Sequence, residues 1–289
     1  MLKLLERNIR SIDERLVLLA PPHQLVPGWF QHVDGDLQRH DALVREMQQL
    51  RGGIYLHDGA VERQELSPEG LHQTPEDHKS WHLLIMNKQG RVTACVWYLE
   101  HDNTTLVEDL RVRDCPLAGM KEWRGPLWKS VESELAVARR DALRYAEVGG
   151  WAVSAESRCT SEGLLLALAA YSLGRIFGGA LGITTATVRH SSSVILRRLG
   201  GSSLEVDGAP LVPYYDPKYK CEMELLRFDS RRPNPRYAGA IELLREKLMN
   251  VLVVGGRAEA FAGVPEPLAP VQPEQHVIAQ QGAPRRIAA

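Results

Sequence analysis

The chain is expected to fold as an α/β protein whose sheet is covered by helices on both faces, and three observations predict this. Residues 151–201 read as strand, turn, helix, strand and helix in the order WAVSAESRCTSEG, LLLALAAYSLGRIFGGALG, ITTATV and RHSSSVILRRLGG, a β-α-β-α unit. Trp81–Asn87 and Val92–His101 flank Lys88-Gln89-Gly90 as a hairpin, and both runs are nearly continuously apolar, the pattern of strands buried on two faces. Segments with apolar residues three and four apart lie before and after these strands.

Taken in order, Leu5, Ile9, Ile12, Leu16 and Leu19 predict an amphipathic helix over 2–19, ended by Pro21 and Pro22. A second helix is expected from Asp36 to Leu50, with Gly52-Gly53 as its stop. Asp58-Gly59, between Ile54–His57 and Ala60–Leu66, reads as the tight turn of a short hairpin, and a further strand is expected within Leu106–Val112. Val131, Leu135, Ala138, Ala142 and Tyr145 predict a helix over 128–146 stopped at Gly149-Gly150, so that the next strand begins at Trp151. Beyond Gly200-Gly201 come a turn at Asp207-Gly208 and an apolar segment at Leu211–Tyr215. In Tyr219–Phe228, Cys221, Met223 and Leu225 alternate with Glu222 and Glu224, which gives one buried and one wet strand face. Tyr237, Ile241, Leu244 and Leu248 mark a last helix. The expected organisation is an N-terminal helix and linker over 1–35, a main domain over 36–250, and a flexible Pro/Ala/Gln-rich tail over 251–289.

Composition narrows the function classes. With 44% hydrophobic and 25% charged residues and a net charge of -1, the 289-residue chain has no global signature of a nucleic-acid binder. The cysteines, Cys95, Cys115, Cys159 and Cys221, form no Cys-x-x-Cys pair, and no apolar run approaches the roughly 20 residues that cross a bilayer. A cytoplasmic protein with free thiols and no transmembrane segment is expected. The ten histidines do not fall at ligand spacing, so no metal is expected.

The chemistry is expected at the turn from the 151–157 strand into the following helix. Arg158, Cys159, Thr160, Ser161, Glu162 and Gly163 bring backbone N–H groups to a helix start, which attracts phosphate; the competing reading is a plain turn in an α/β core. Glu162 repels a phosphate unless its carboxylate points away. Cys159 has no evident partner base, and small-residue packing is its expected role.

The element order over residues 36–228 resembles the GNAT (Gcn5-related N-acetyltransferase) superfamily. Its pyrophosphate signature, Arg/Gln-x-x-Gly-x-Gly/Ala, is met at Arg158 and Gly163, with Ser161 in place of the central glycine. The resemblance implies a central mixed twisted sheet with helices on both faces, and a coenzyme A or phosphopantetheine thioester as acyl donor. It also implies a pantetheine arm in a splay between two parallel strands, and a Glu on the strand before the turn as the base. Glu156 is the candidate, since a carboxylate among apolar neighbours accepts a proton near neutrality; the competing reading is a structural carboxylate bonded to Arg158 or to a backbone N–H. Leu196 stands where the superfamily often has a proton-donating Tyr, leaving His190, Ser191 or Ser192 for that role or an unaided thiolate; His190 is grouped with the cofactor-binding residues.

Glu156-Ser157-Arg158 and the extra helix before the central strand are similar to the branch of acyl-homoserine-lactone (autoinducer) synthases and long-chain N-acyl amino acid synthases. Autoinducer synthases usually carry one more residue between Glu and Arg, so the resemblance implies the broader N-acyl amino acid synthase activity rather than lactone synthesis. The expected function is transfer of an acyl group from an acyl-CoA or acyl carrier protein to a small-molecule amine such as an amino acid. The alternative is a non-catalytic thioester-binding or scaffold module, toward which Ser161, Glu162 and Leu196 lean. Trp81-His82 and Tyr214-Tyr215-Asp216-Pro217 are further candidates for lining a substrate mouth, against packing at a sheet edge and an aromatic-anchored turn; Arg139-Arg140 and Arg197-Arg198 are candidates for meeting phosphate or an acidic carrier protein, against solvated helix faces, the commoner fate of such pairs.

Overall fold

The computed structural model describes residues 2–158, 160–189 and 192–258. Its strands are β1 (Leu16–Leu19), β2 (Leu25–Val26), β3 (His32–Asp34), β4 (Trp81–Met86), β5 (Val92–His101), β6 (Arg144–Val153), β7 (Ala180–Thr187), β8 (Ser202–Ser203), β9 (Glu205–Val206), β10 (Ala209–Pro210), β11 (Tyr214–Asp216), β12 (Cys221–Asp229), β13 (Leu252–Val254) and β14 (Arg257–Ala258). The helices are α1 (Leu2–Arg10), α2 (Leu37–His57), α3 (Pro116–Gly119), α4 (Lys121–Arg140), α5 (Glu162–Ile176), α6 (Ser192–Leu199) and α7 (Ala238–Leu248). One ten-stranded mixed sheet, ordered β11-β12-β7-β6-β5-β4-β1-β13-β3 with β8 beside β12, organises them.

Helices cover both faces, as the apolar runs require. On one face α5, α7 and α1 bury Leu166, Ile241 and Ile9 against Val96, Tyr98 and Ala146. The other face carries two separate patches. Val44 and Met47 of α2 pack on Leu84, Cys95 and Ala152, whereas Leu127, Val131 and Leu135 of α4 pack on Tyr145, Ile183 and Met223. In the gap between these patches Trp97 of β5 lies opposite Gly149 of β6.

Several elements depart from expectation, each for a physical reason. The N-terminal helix stops at Arg10, and Leu16–Leu19 is a strand, antiparallel to β4 and parallel to β13. Because β1, β3 and β13 lie in the central sheet, the expected boundaries at 35/36 and 250/251 both cut through it. From residue 259 the expected tail lies outside the described residues. Helix α2 starts where expected, Asp36 capping it by accepting from the N–H groups of Gln38 and Arg39, but it runs through Gly52-Gly53 to His57. Gly52 is there for close approach, since a Cβ would overlap the carbonyl oxygen of Gly70. Asp58-Gly59 ends this helix, with Gly59 at φ +69°, instead of turning a hairpin. Leu106–Val112 forms 3-10 turns, not a strand.

The correction that matters most concerns β6. Helix α4 ends at Arg140, and Ala142 at φ +53° turns the chain into a strand that begins at Arg144, so Gly149-Gly150 lies inside β6 and stops no helix. The 81–101 hairpin, the α5-β7-α6 order, the Asp207-Gly208 turn between β9 and β10, and the buried and wet faces of β12 follow expectation.

Candidate active site

Parallel pairing of β6 with β7 runs from Arg144↔Ala180 to Val148↔Thr184 and stops, although β6 continues to Val153 and β7 to Thr187. Each strand keeps its outer partner beyond that point, β6 with β5 and β7 with β12. The two central strands therefore splay apart, and Val148, Gly149, Gly150 and Trp151 are only partly buried in the middle of a wide sheet.

A bulge coincides with the splay. Trp97 pairs with Gly149 but Cys95 with Ala152, so β6 carries one residue more than β5 across this step. Gly150 supplies the positive φ of +63° that the bulge needs. The Trp97 ring lies against both glycines: a Cβ at Gly149 would stand 2.8 Å from its Cη2, and one at Gly150 2.5 Å from its Nε1. Arg111 stacks over the same indole at 5.2 Å and pairs with Glu76 at 2.7 Å, which closes the gap from above.

On this face of β6 stands Glu147, 4% exposed. Its Oε2 lies 3.0 Å from His101 Nε2 and accepts from the Arg111 backbone N–H at 3.1 Å. The expected base, Glu156, is displaced. It lies past the end of β6 in a 3-10 turn, Ala155–Ser157, exposed to solvent and not among apolar neighbours. Sequence reasoning ran the preceding helix to 146 with Gly149-Gly150 as its stop, and so missed Glu147 on the strand.

The turn before α5 is held from several sides. Arg158 Nη2 donates to both carboxylate oxygens of Asp58 at 2.9 and 2.8 Å, tying the turn to the end of α2. Thr160 Oγ1 donates to the Ser157 carbonyl at 2.7 Å and accepts from the Glu162 N–H at 3.2 Å. Ser161, the N-cap of α5, has φ -85° and ψ 0°, an ordinary conformation for a residue with a side chain. Its Oγ makes no cap hydrogen bond and instead accepts from Asn8 Nδ2 at 2.8 Å. Glu162 is buried, its carboxylate taken by Arg15 and by Thr93 Oγ1 at 3.3 Å. Gly163 faces the Trp151 ring, which a Cβ would meet at 3.2 Å. Cys159, His190 and Ser191 lie outside the described residues.

The remaining candidates scatter. Trp81 and His82 are 1% and 0% exposed in the sheet interior and line no mouth. Arg139 holds the carbonyls of Asn103 and Thr105, and Arg197 pairs with Glu224. Tyr214 is buried and Tyr215 exposed, while Leu196 packs against the core where the usual Tyr was sought. Ser192 Oγ lies 3.3 Å from Thr187 Oγ1. Burial pushes the Cys95 thiol up to about 11, so it is no nucleophile near neutrality.

Sequence reasoning also missed Arg51, fully buried on α2 beside the bulge. Its Nη2 donates to Asp77 Oδ1 and Oδ2 at 2.9 and 2.8 Å and to the His72 carbonyl at 2.6 Å. Burial works against its charge, but the hydrogen bond and charge of Asp77 outweigh it and raise the pKa above the ordinary arginine value. His72 is driven down to about 4, chiefly by burial and further by Arg51.

No family model matches the sequence, and no curated protein is similar to it. Among solved structures, a CoA-dependent acyl-homoserine lactone synthase, BjaI, with SAM and isopentyl-CoA, matches with TM-score 0.52 at 12% identity over 86% of this chain and 95% of that one. BjaI with MTA gives the same values. FeeM, an N-acyl amino acid synthase from uncultured soil microbes, matches with TM-score 0.42 at 11% identity over 71% of this chain and 90% of its own. The chain therefore has the acyl-CoA N-acyltransferase fold, in the form found in an autoinducer synthase.

Proposed function

We propose that this protein is an N-acyltransferase that moves an acyl group from a coenzyme A or carrier-protein thioester to a small-molecule amine, in its finer form a long-chain N-acyl amino acid synthase acting in the cytoplasm. The observation that carries this reading is the splay after Val148↔Thr184. Separating two central strands forfeits ladder hydrogen bonds, and the freed backbone groups need other partners. An extended pantetheine arm has amides at the spacing to supply them.

In this reading the diphosphate of coenzyme A, or the phosphate of a carrier arm, rests at the start of α5 on the N–H groups around Ser161–Gly163, with Arg158 beside it. The thioester carbonyl then reaches the bulge at Gly150, where backbone N–H groups stabilise negative charge on its oxygen. The amine attacks the carbonyl carbon from the Trp97 face. Its nitrogen gives up a proton to Glu147, directly or by way of His101 or water, as the C–N bond forms. The C–S bond breaks, and the thiolate leaves to be protonated by solvent. Holding donor and amine in line is the larger contribution, because a thioester is already activated.

The test compares Glu147→Gln and Glu156→Gln by mass spectrometry of N-acyl products from pooled amines, with acyl-CoA and acyl-carrier donors. Glu147→Gln should lower transfer by about 10²-fold or more, and Glu156→Gln should leave it within about twofold. The reverse pattern moves the base to Glu156. Tight coenzyme A binding without product from any donor and amine supports the scaffold module instead.

A further inference from the structure

The guanidinium of Arg51 is held on one side only. Its residue is 0% exposed, and Nη2 is satisfied by Asp77 and the His72 carbonyl. Nε and Nη1 are buried and have no hydrogen-bond partner among the described residues. A buried donor without an acceptor is costly, the more so when the group is charged, so native proteins rarely leave one unless something else supplies the acceptor. Arg51 carries three N–H bonds in this state, on Nε and Nη1 together.

Their position says what is missing. Nη1 stands 3.1 Å from the point a Cβ on Gly150 would occupy, and Trp97 Nε1 stands 2.5 Å from that same point. The free end of the guanidinium thus lies over the β6 bulge, on the face that carries Glu147. Asp77 is itself saturated, accepting from Gln48 Nε2 at 2.9 Å and from the Thr74 N–H at 3.0 Å as well as from Arg51, so it fixes the guanidinium without being able to turn toward Nη1. Around this point Tyr55, Cys95 and His72 are neutral near pH 7: burial raises the first two and lowers the third. Among the described residues no carboxylate accepts a hydrogen bond from Nη1.

We infer that Arg51 is a specificity-determining residue for the acceptor, its Nη1 donating to an anionic carboxylate on the amine that is acylated. This rests on the acyltransferase reading for what is acylated, but not for what binds. A preorganised charged donor discriminates strongly between a carboxylate and its neutral isostere, because the isostere leaves the donor poorly paired in a buried place.

The experiment uses the full chain, with each of several amino acids and its carboxamide as paired probes. Binding is read by calorimetry in the presence of a non-transferable acyl-CoA ether, and turnover by product mass with acyl-CoA. The wild type should prefer carboxylate over carboxamide by about tenfold or more in both Kd and kcat/KM. Because Arg51→Ala leaves Asp77 buried and uncompensated, the variants are Arg51→Lys, which keeps the charge, and Arg51→Gln with Asp77→Asn, which removes both charges together. In each, the preference for carboxylate over carboxamide should fall to within about twofold. Equal use of carboxylate and carboxamide by the wild type overturns the inference, as does an unchanged preference in both variants. Carboxylate-selective binding without acyl transfer from any donor keeps the Arg51 assignment and rejects the acyltransferase reading.

Discussion

Gly150→Ala is the sharpest test of the bulge on which the site depends. At φ +63° an alanine sits in the left-handed region, which costs a residue with a Cβ roughly 1–2 kcal/mol. The new Cβ would also stand 2.5 Å from Trp97 Nε1 and 3.1 Å from Arg51 Nη1. The indole must move, and overpacking of this kind costs about 1–3 kcal/mol. The expected destabilisation is therefore roughly 2–5 kcal/mol, or a melting temperature lower by roughly 5–15 °C for a chain of this size. Calorimetric melting of wild type, Gly150→Ala, Trp97→Leu and the double variant separates the two contributions. The steric share should appear as a coupling of about 1 kcal/mol or more, and the backbone share should remain in the double variant. At 25 °C, where Gly150→Ala remains folded, acyl transfer should fall about tenfold or more as the bulge N–H groups shift. A melting temperature within about 2 °C of wild type, or a folded variant with full activity, refutes the geometry.

Three further outcomes follow from the same structure. Gly53→Ala should stabilise the protein by about 0.5–1 kcal/mol in urea unfolding, since nothing lies within 4 Å of its Cβ. Its neighbour Gly52→Ala should destabilise by about 1–3 kcal/mol through the Gly70 carbonyl, and equal signs for the pair contradict the α2 packing. Arg158→Ala should raise KM about tenfold for acyl-CoA yet leave KM unchanged for an acyl N-acetylcysteamine thioester, which has no phosphate; equal changes for both donors remove Arg158 from the phosphate site. His82, fully buried, is lowered by burial to about 4 from 6.5, and His72 moves the same way. Between these values the unfolded chain binds protons that the folded chain refuses. Stability should thus be full above pH 6.5 and fall as pH drops toward 4, and urea midpoints that stay level from pH 7.5 to 4.5 contradict this.

Much of the central layer was legible because its signals are local. The 81–101 hairpin carries its own turn, and α5 announces itself by an unbroken apolar run flanked by small residues. What was lost has one physical cause, namely that pairing partners distant in sequence decide short segments. Leu16–Leu19 and Leu252–Val254 are four and three residues long and become strands by pairing with each other. Nothing in the period of so short an apolar run separates strand from helix. At Tyr145 the helical repeat continued by coincidence through the α4–β6 junction, although Tyr145 and Glu147 alternate with Ala146 and Val148 as a strand does. That alternation was the available signal for Glu147. The two double glycines misled for a related reason. Both allow close approach, of Gly70 at one and of Trp97 at the other, and neither ends a helix. Arg51 had no local signal, because its burial depends on Asp77 in a separate loop.

Ser161, Glu162 and Leu196, the three positions at which the sequence departs from the pattern it resembles, each have a structural setting. Ser161 occupies backbone angles that need no glycine, and Asn8 takes up its hydroxyl. Glu162, which would repel a phosphate at a helix start, is drawn off by Arg15 and Thr93. Both Asn8 and Arg15 come from the segment that sequence reading set apart as an N-terminal helix and linker. Leu5 and Ile9 anchor α1 in the same core as α5 and α7, so these polar contacts are held by buried apolar surface and not by the exposed side chains alone. The N-terminal segment is thus packed against the start of α5. Leu196 differs from the other two positions. It packs against the core, and of the donors considered in place of a Tyr hydroxyl, Ser192 Oγ lies 3.3 Å from Thr187 Oγ1 while His190 and Ser191 lie outside the described residues.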